Sequence, residues 1–313
     1  MKRLFPVVVV VCCVIAGLAL PARAYDLPSV NLGFTSFLDG GPPAGPGVYF
    51  TEYLQWYTSD RFTDQGGHKT PLPIDRLQAW VSLNQLIYQS NKSVLLGGKW
   101  GLDLIQPLVA FDARPQGTTS LTESGPGDLL VGPFIQWDPI MGQHGPVFMH
   151  RIELQMLVPT GRYDSDALLN AGSNFFSIDP YWAATVFLLP QWTISWRVHY
   201  LWNDENRNPS VPFNTSTTTQ AGQAVHLNFA SGYEILPKRL RIGVNGYYLK
   251  QFTDMRVNGD NVPDTREQVL GIGPGLVWHI SPNDHVFAGV YFEMASENRP
   301  EGERCNLRWV HHF

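Results

Sequence analysis

The 313-residue sequence contains little cysteine, little charge and no sustained helical pattern. Two of its three cysteines, Cys12 and Cys13, lie in the apolar run at the amino terminus, so Cys305 alone follows that run and no intramolecular disulfide is expected. Charged residues make up 16% of the chain, well below the usual quarter. Past residue 20, no segment approaches the about 18 apolar residues that a transmembrane helix needs, and no segment repeats apolar residues at helical spacing.

The amino terminus has the pattern of a cleavable export signal. Residues 1–3 carry positive charge, residues 4–20 are apolar, and Ala22-Arg23-Ala24 supplies a small-residue cleavage site, so the mature chain is expected to begin at Tyr25. A transmembrane anchor is the alternative. It is disfavoured because the apolar run is short and no basic flank follows it.

Charge and aromatic content restrict the class of partner. Loss of Lys2, Arg3 and Arg23 with the signal would remove three positive charges and take the formal net charge from −5 to −8. This acidic balance argues against a nucleic-acid partner. Aromatic residues reach 12% and include ten Trp, which suits a wall that faces lipid and carries aromatic girdles.

Alternation of apolar and polar residues recurs in about twelve segments, whose typical length fits a tilted membrane-spanning strand. In 192–202, large apolar residues alternate with Arg197, His199 and other polar residues. In 76–85, one parity is wholly apolar, and we expect it to face lipid. A soluble β-sandwich, with its apolar parity pointing inward, is the alternative. The segments are 48–57, 76–88, 94–111, 127–137, 147–158, 177–189, 192–202, 221–233, 239–251, 266–279, 284–293 and 304–313.

The carboxy terminus favours the barrel. Counting back in twos from Phe313 gives His311, Trp309, Leu307 and Cys305, which form the mostly apolar side of a final strand. Chains that end in this way after an export signal resemble bacterial outer-membrane β-barrels. We therefore predict an all-β, transmembrane, antiparallel up-and-down β-barrel of about twelve strands over residues 48–313. Phe313 and Trp309 would form the signal for the barrel-assembly machinery.

The connections between the predicted strands alternate in length, as expected when turns lie at one end of a barrel and loops at the other. The long polar connections are expected at 58–75, 112–126, 159–176, 203–220, 252–265 and near 294–303. Residues 25–47, which precede the first strand, are rich in Gly and Pro and therefore exclude a helix or a central strand. They form either a compact plug in the barrel mouth or a flexible lead-in.

Three motifs carry a family resemblance. Residues 39–53, 127–137 and 158–164 resemble the SphA-like outer-membrane proteins of the "meta-pathway of phenol degradation" family, in the same order along the chain. The resemblance implies an outer-membrane barrel that transports compounds in aromatic degradation. It brings no catalytic residues, because the motifs encode strands and turns.

An enzyme is not predicted, and neither a cofactor nor a metal site is predicted. No Gly-x-Ser-x-Gly elbow or His-x-Ser motif is present. His311 and His312 are read as strand-end residues, and Asp254, Asp260 and Asp264 do not have the spacing of a calcium loop.

Inward-facing polar residues are the best functional candidates. They either form a charge ladder that closes and stiffens the barrel or line a polar path. These candidate lumen-lining residues are Lys99, Asp103, Arg151, Glu153, Gln155, Arg197 and His199.

Two functions from different classes fit the sequence. The first is a passive channel in the outer membrane of a Gram-negative bacterium, surrounded by its lipids, for uptake of small hydrophobic or aromatic compounds linked to their degradation. The second is a non-conducting barrel with a structural or partner-binding role. A barrel enzyme that acts on lipids is a weaker third, since no nucleophile motif is present.

Overall fold

The computed structural model describes residues 30–70, 74–115, 121–211 and 213–313. The predicted export signal and the expected start at Tyr25 lie outside these ranges. Within them the chain forms strands, turns and loops, and it contains no helix that is long and apolar enough to cross a membrane.

The described residues form seventeen strands, most of them 12 residues or longer. They are β1 (Gly47–Phe62), β2 (Ile74–Ser93), β3 (Lys99–Pro115), β4 (Leu121–Pro126), β5 (Leu129–Gln136), β6 (Ile140–Gly142), β7 (Gly145–Val158), β8 (Ser177–Leu189), β9 (Trp192–Asn203), β10 (Thr219–Gln220), β11 (Ala224–Leu236), β12 (Leu240–Gln251), β13 (Arg256–Val257), β14 (Asp260–Asn261), β15 (Gln268–His279), β16 (Asp284–Glu297) and β17 (Pro300–His312).

The long strands close into a twelve-stranded antiparallel barrel, which confirms the predicted fold class. Hydrogen bonding runs in the order β2, β1, β17, β16, β15, β12, β11, β9, β8, β7, β5 and β3, and the pairing of β2 with β3 closes the ring. β4 also pairs with β3, so β4 and β5 together fill one barrel position with a break at Gly127-Asp128. The short β10, β13 and β14 form a separate small sheet.

The first and last strands meet along one seam. β1 and β17 pair from Tyr49 opposite His312 to Phe62 opposite Pro300. The amide of Phe313 donates to the carbonyl of Val48 at 3.0 Å. The Phe313 ring lies on the outside of the wall and is 71% exposed. The terminal residue thus extends the hydrogen-bonded seam by one more contact.

Apolar side chains form a broad outward belt, which is the surface of a barrel that spans a membrane. β9 follows the predicted alternation, because its Trp192, Val198 and Tyr200 are exposed on the outside while Arg197 and His199 are buried inside. Other outward apolar residues of the belt are Leu54, Trp80, Leu86, Trp100, Leu104, Leu108, Ile152, Leu154, Trp182, Val225, Ile242, Val244, Leu307 and Trp309.

The expected orientation of 76–85 is wrong. In β2, Trp80 is 58% exposed on the outside, whereas its neighbour Ala79 is 7% exposed and faces inward. Alternation along the strand therefore places Val81 and Leu83 inside as well, and Ser82 and Asn84 outside. The pairing of β2 with β1 and β3 determines this orientation. Gln85, which has the same parity as Ala79, is buried inside and lies opposite the buried Thr51 of β1 and Ile105 of β3.

Two of the predicted long connections are also mostly strand. The expected loop near 294–303 is a tight turn, because β16 ends at Glu297 and β17 begins at Pro300. In 112–126, β3 runs to Pro115 and β4 begins at Leu121, so strand covers most of the predicted loop. Polar residues in both segments belong to strands that project beyond the apolar belt.

The seam predicts a specific cross-link. Trp56 and Cys305 are direct partners across β1 and β17, so a cysteine at position 56 should form a disulfide with Cys305 on mild oxidation. In refolded residues 25–313 the W56C variant should change mobility in denaturing electrophoresis, because the bond would close most of the chain into a loop. The Y57C variant is the control, since its side chain points into the lumen. Equal cross-linking in both variants would contradict the register.

Candidate functional site in the barrel lumen

Residues 30–33 form hydrogen bonds with inward side chains of β11, β1, β16 and β17. Asn228 of β11 accepts a hydrogen bond from the Gly33 amide at 2.8 Å and donates to the Asn31 carbonyl at 2.8 Å. Gln55 of β1 donates to the Leu32 carbonyl at 3.1 Å, and Tyr291 of β16 donates to the Gly33 carbonyl at 2.9 Å. These contacts satisfy backbone groups that no strand pairing serves.

Residues 38–40 are held by side chains of β9, β8 and β5. The Leu38 amide donates to Ser195 Oγ and the Gly40 amide donates to Thr185 Oγ1, each at 2.9 Å. Gln136 donates to the Gly40 carbonyl at 3.0 Å. A Cβ atom on Gly40 would lie 2.4 Å from the Thr185 backbone nitrogen, so only glycine allows this close approach.

Two apolar side chains of the same segment are packed inside the barrel. Leu32 is buried with Tyr247, Leu249, Val269 and Tyr291. Phe37 is buried in a second cluster of inward residues. That cluster consists of Phe37, Tyr49, Ala230, Val277, Phe287 and Val310. We refer to residues 30–46 as the inner segment.

One ion pair joins the inner segment to the wall. Arg197 of β9 makes a bidentate pair with Asp39, with its Nε and Nη2 at 2.7 and 2.8 Å from the two carboxylate oxygens. Arg308 of β17 lies 4.0 Å from the same carboxylate. Burial alone would raise the pKa of the Asp39 carboxyl, but Arg197 and Arg308 hold that pKa below its usual value. Asp39 therefore stays ionised at mildly acidic pH.

Several further inward charges are paired with one another. Arg151 lies 3.5 Å from Glu153, and the Tyr181 hydroxyl hydrogen-bonds with both of them. Glu267 pairs with Arg299 at 2.7 Å, and Glu293 pairs with Arg304 at 3.2 Å.

The predicted lumen-lining residues do not all meet at one place. Asp103 is buried inside and accepts from Gln85 at 2.6 Å, and Gln155 is buried on β7. Lys99 instead lies at the end of β3, where it pairs with the exposed Asp138 at 2.6 Å. The sequence patterns did not single out Asp39 or Arg308, whose partners lie far away along the chain.

A buried triad lies on three neighbouring strands. Asp179 of β8 contacts His199 Nδ1 of β9 at 3.0 Å and His226 Nε2 of β11 at 3.1 Å. The two imidazole rings stack with centroids 4.1 Å apart. Of the triad, only His199 is among the predicted candidates.

One sector of the interior is apolar. Val81 of β2 and Val109 of β3 are direct partners, as are Ala79 and Phe111, and all four share the inward parity. Most are only half-buried, so part of their surface remains open. This apolar sector comprises Leu77, Ala79, Val81, Leu83, Val109 and Phe111.

A small polar group lies on the outer face of β1 and β2, beside the outward Leu54, Trp80 and Leu86. Glu52 of β1 accepts a hydrogen bond from Ser82 at 2.7 Å, and Asn84 donates to Ser82 at 3.1 Å. These mutual bonds reduce the cost of placing polar groups on an outward wall surface.

Comparison with known proteins identifies the family. The family model described as "Putative MetA-pathway of phenol degradation" matches residues 59–309. The chain belongs to this family. The resemblance seen in the sequence motifs is thereby confirmed. No curated protein sequence matches the chain.

Solved structures share the family's barrel fold. The outer-membrane channel described as COG4313 from Pseudomonas putida F1 is 17% identical, with a TM-score of 0.76, and the match covers 91% of this chain and 100% of that one. The beta domain of the Bordetella autotransporter BrkA is 11% identical, with a TM-score of 0.53, over 86% of this chain and 100% of that one. At these identities the similarity concerns the fold.

The Asp39–Arg197 pair predicts a large loss of stability on removal of its carboxylate. Asp39→Asn leaves Arg197 buried without its bidentate partner, so the free energy of unfolding should fall by about 3–5 kcal/mol. Urea unfolding of the refolded barrel measures this loss. Asp138→Asn is the matched control, because the Asp138 side chain is 66% exposed, and its loss of the Lys99 ion pair should change stability by less than about 1 kcal/mol. Equal effects of the two variants would contradict the anchoring role of Asp39.

Proposed function

We propose that the protein is a passive channel in the bacterial outer membrane for small hydrophobic or aromatic compounds. The observation that carries this proposal is the apolar sector, whose inward side chains are half-buried in a lumen that is otherwise filled by paired charges and by the inner segment. A polar solute would lose hydration water in the apolar sector and would gain no hydrogen-bond partners there. An apolar ring would replace water on the surfaces of Val81, Val109 and Phe111.

The inner segment acts as a plug in this proposal. It occupies the charged side of the lumen, where its backbone is bonded by Asn228, Ser195 and Thr185. Hydrated ions would need to displace these contacts, whereas a small apolar molecule would pass along β2 and β3 without breaking them. Selectivity would therefore come from the apolar character of the passage along β2 and β3 as well as from the width of that passage.

The membrane environment is part of the proposal. The outward apolar belt fits surrounding outer-membrane lipids, and the strand that ends at Phe313 fits recognition by the barrel-assembly machinery. The solved Pseudomonas putida structure of the same fold is described as an outer-membrane channel. Membership of a family named for phenol degradation supports aromatic compounds as the substrate class.

A non-conducting barrel is the second candidate. The observation that favours it is the density of buried pairs, such as Arg151 with Glu153 and Arg299 with Glu267, which stiffen the wall. In that case the apolar sector would hold no passing solute.

Uptake of N-phenylnaphthylamine by intact cells tests the channel. The intact outer membrane excludes this aromatic dye, which fluoresces once it reaches the inner lipid. Cells that make the protein should become fluorescent faster than cells that carry the empty vector. Val109→Asp should reduce the added rate about tenfold or more, since a carboxylate in an apolar passage costs at least 1.4 kcal/mol.

Val109→Ile is the matched control, because it keeps the surface apolar, and it should retain most of the rate. Heat-modifiable electrophoretic mobility verifies that each variant folds in the outer membrane. A folded wild-type barrel that admits dye no faster than the vector would contradict the channel and support the non-conducting barrel.

A further inference from the structure

We propose that Asp179, His199 and His226 form a binding site for one divalent transition-metal ion such as Zn²⁺. Two imidazole nitrogens and one carboxylate oxygen are a donor set that such ions prefer. One donor atom from each residue lies within 4.8 Å of the others. Within the described ranges, no other group of three His, Cys, Asp or Glu residues meets this geometry.

The wall positions the three donors. His199 and His226 are direct partners in the pairing of β9 with β11, and β8, which carries Asp179, pairs with the other edge of β9. All three side chains are buried. Because adjacent strands fix their spacing, little ordering of the chain would be needed to bind an ion.

The charge balance of the lumen also favours a cation here. Asp39, Glu267 and Glu293 each have an arginine within 4.0 Å. Asp179 has only the two imidazoles as ion-pair partners among the described residues, and these are neutral unless protonated. A buried carboxylate without a permanent positive partner is costly, and a divalent ion would supply that charge.

The proton balance permits metal binding by neutral rings. His199 Nδ1 and His226 Nε2 now face Asp179, so each carries its ring proton when it donates to the carboxylate. On metal binding each proton would move to the far nitrogen of the same ring, with no net release. His199 Nε2 and His226 Nδ1 make no hydrogen bond to the described residues, so no existing contact would oppose the shift.

The triad would need only a small rearrangement of its donor atoms to bind an ion. Zn²⁺ binds such donors at about 2.0–2.2 Å, so the three donor atoms would move toward the ion. The angle between the planes of the two stacked imidazole rings, now 16°, would increase. The three donors would leave at least one coordination position for water. The triad is near the end of the barrel that carries the long loops, since β8 begins at Ser177 and β11 at Ala224.

Cobalt binding tests the site directly. Refolded residues 25–313, stripped with a chelator, should bind one Co²⁺ per chain with visible absorption, and Zn²⁺ should displace it. His199→Gln, His226→Gln and Asp179→Asn should each weaken Zn²⁺ binding at least about 100-fold, since even loss of an outer partner costs 10–100-fold. Zn²⁺ should also raise the unfolding temperature of the wild type and should leave that of the three triad variants unchanged.

His150→Gln is the matched control, because His150 is a β7 residue that stacks on Trp137 and Phe148 outside the triad. It should bind Zn²⁺ as the wild type does. Absence of saturable binding in the wild type would overturn the proposal. Binding that survives all three triad substitutions would also overturn it, and would assign the ion to other histidines such as His311 and His312.

Variants that fail to fold are recognised by their heat-modifiable mobility and are replaced by a measurement on the wild type. The electron paramagnetic resonance spectrum of bound Cu²⁺ should show coupling to two imidazole nitrogens. A spectrum with oxygen ligands alone would contradict the site. Because dye uptake is measured separately, loss of the metal site would leave the proposed channel function intact.

Discussion

The bidentate ion pair between Arg197 and Asp39 is the contact on which the interior depends. It joins the inner segment to β9 in a place where neither charge has much water. Side chains of β11 and β8, the two strands that flank β9, then satisfy the backbone on either side of it, at Gly33 and at Gly40. A segment rich in Gly and Pro has no regular pairing of its own, so these contacts define its path. The barrel and its contents therefore form one hydrogen-bonded unit.

Pairing of the other inward charges completes a lumen with two kinds of surface. Around Arg151 and Glu153 the interior is polar and closed, whereas along Val81 and Val109 it is apolar and only half-covered. The outward Glu52 and its hydrogen-bond partners accompany the apolar sector on the other side of the wall. The proposed selectivity follows from this division. Water and ions favour the charged side of the lumen, which the inner segment already occupies, and apolar molecules favour the apolar sector.

The sequence predicted the barrel and the faces of β9, because its large rings alternate strictly with Arg197 and His199. It did not predict the faces of β2. Lipid and an apolar cavity both favour apolar side chains, so alternation alone cannot distinguish them, and only register with Gln85 and Asp103 places Val81 inside. Asp39 and Arg197 are 158 residues apart, and the triad draws on three strands. These residues meet only when the barrel closes, and no local sequence pattern predicts contacts between residues so far apart in the chain.

In the proposed channel the inner segment, held by Asp39, closes the charged side of the lumen to ions. Single-channel conductance in planar bilayers measures this closure directly, by comparing residues 25–313 with the same chain without residues 30–41. We expect little or no ionic current through the longer chain and a stable, much larger current through the shortened one. Equal currents through two correctly folded barrels would contradict it.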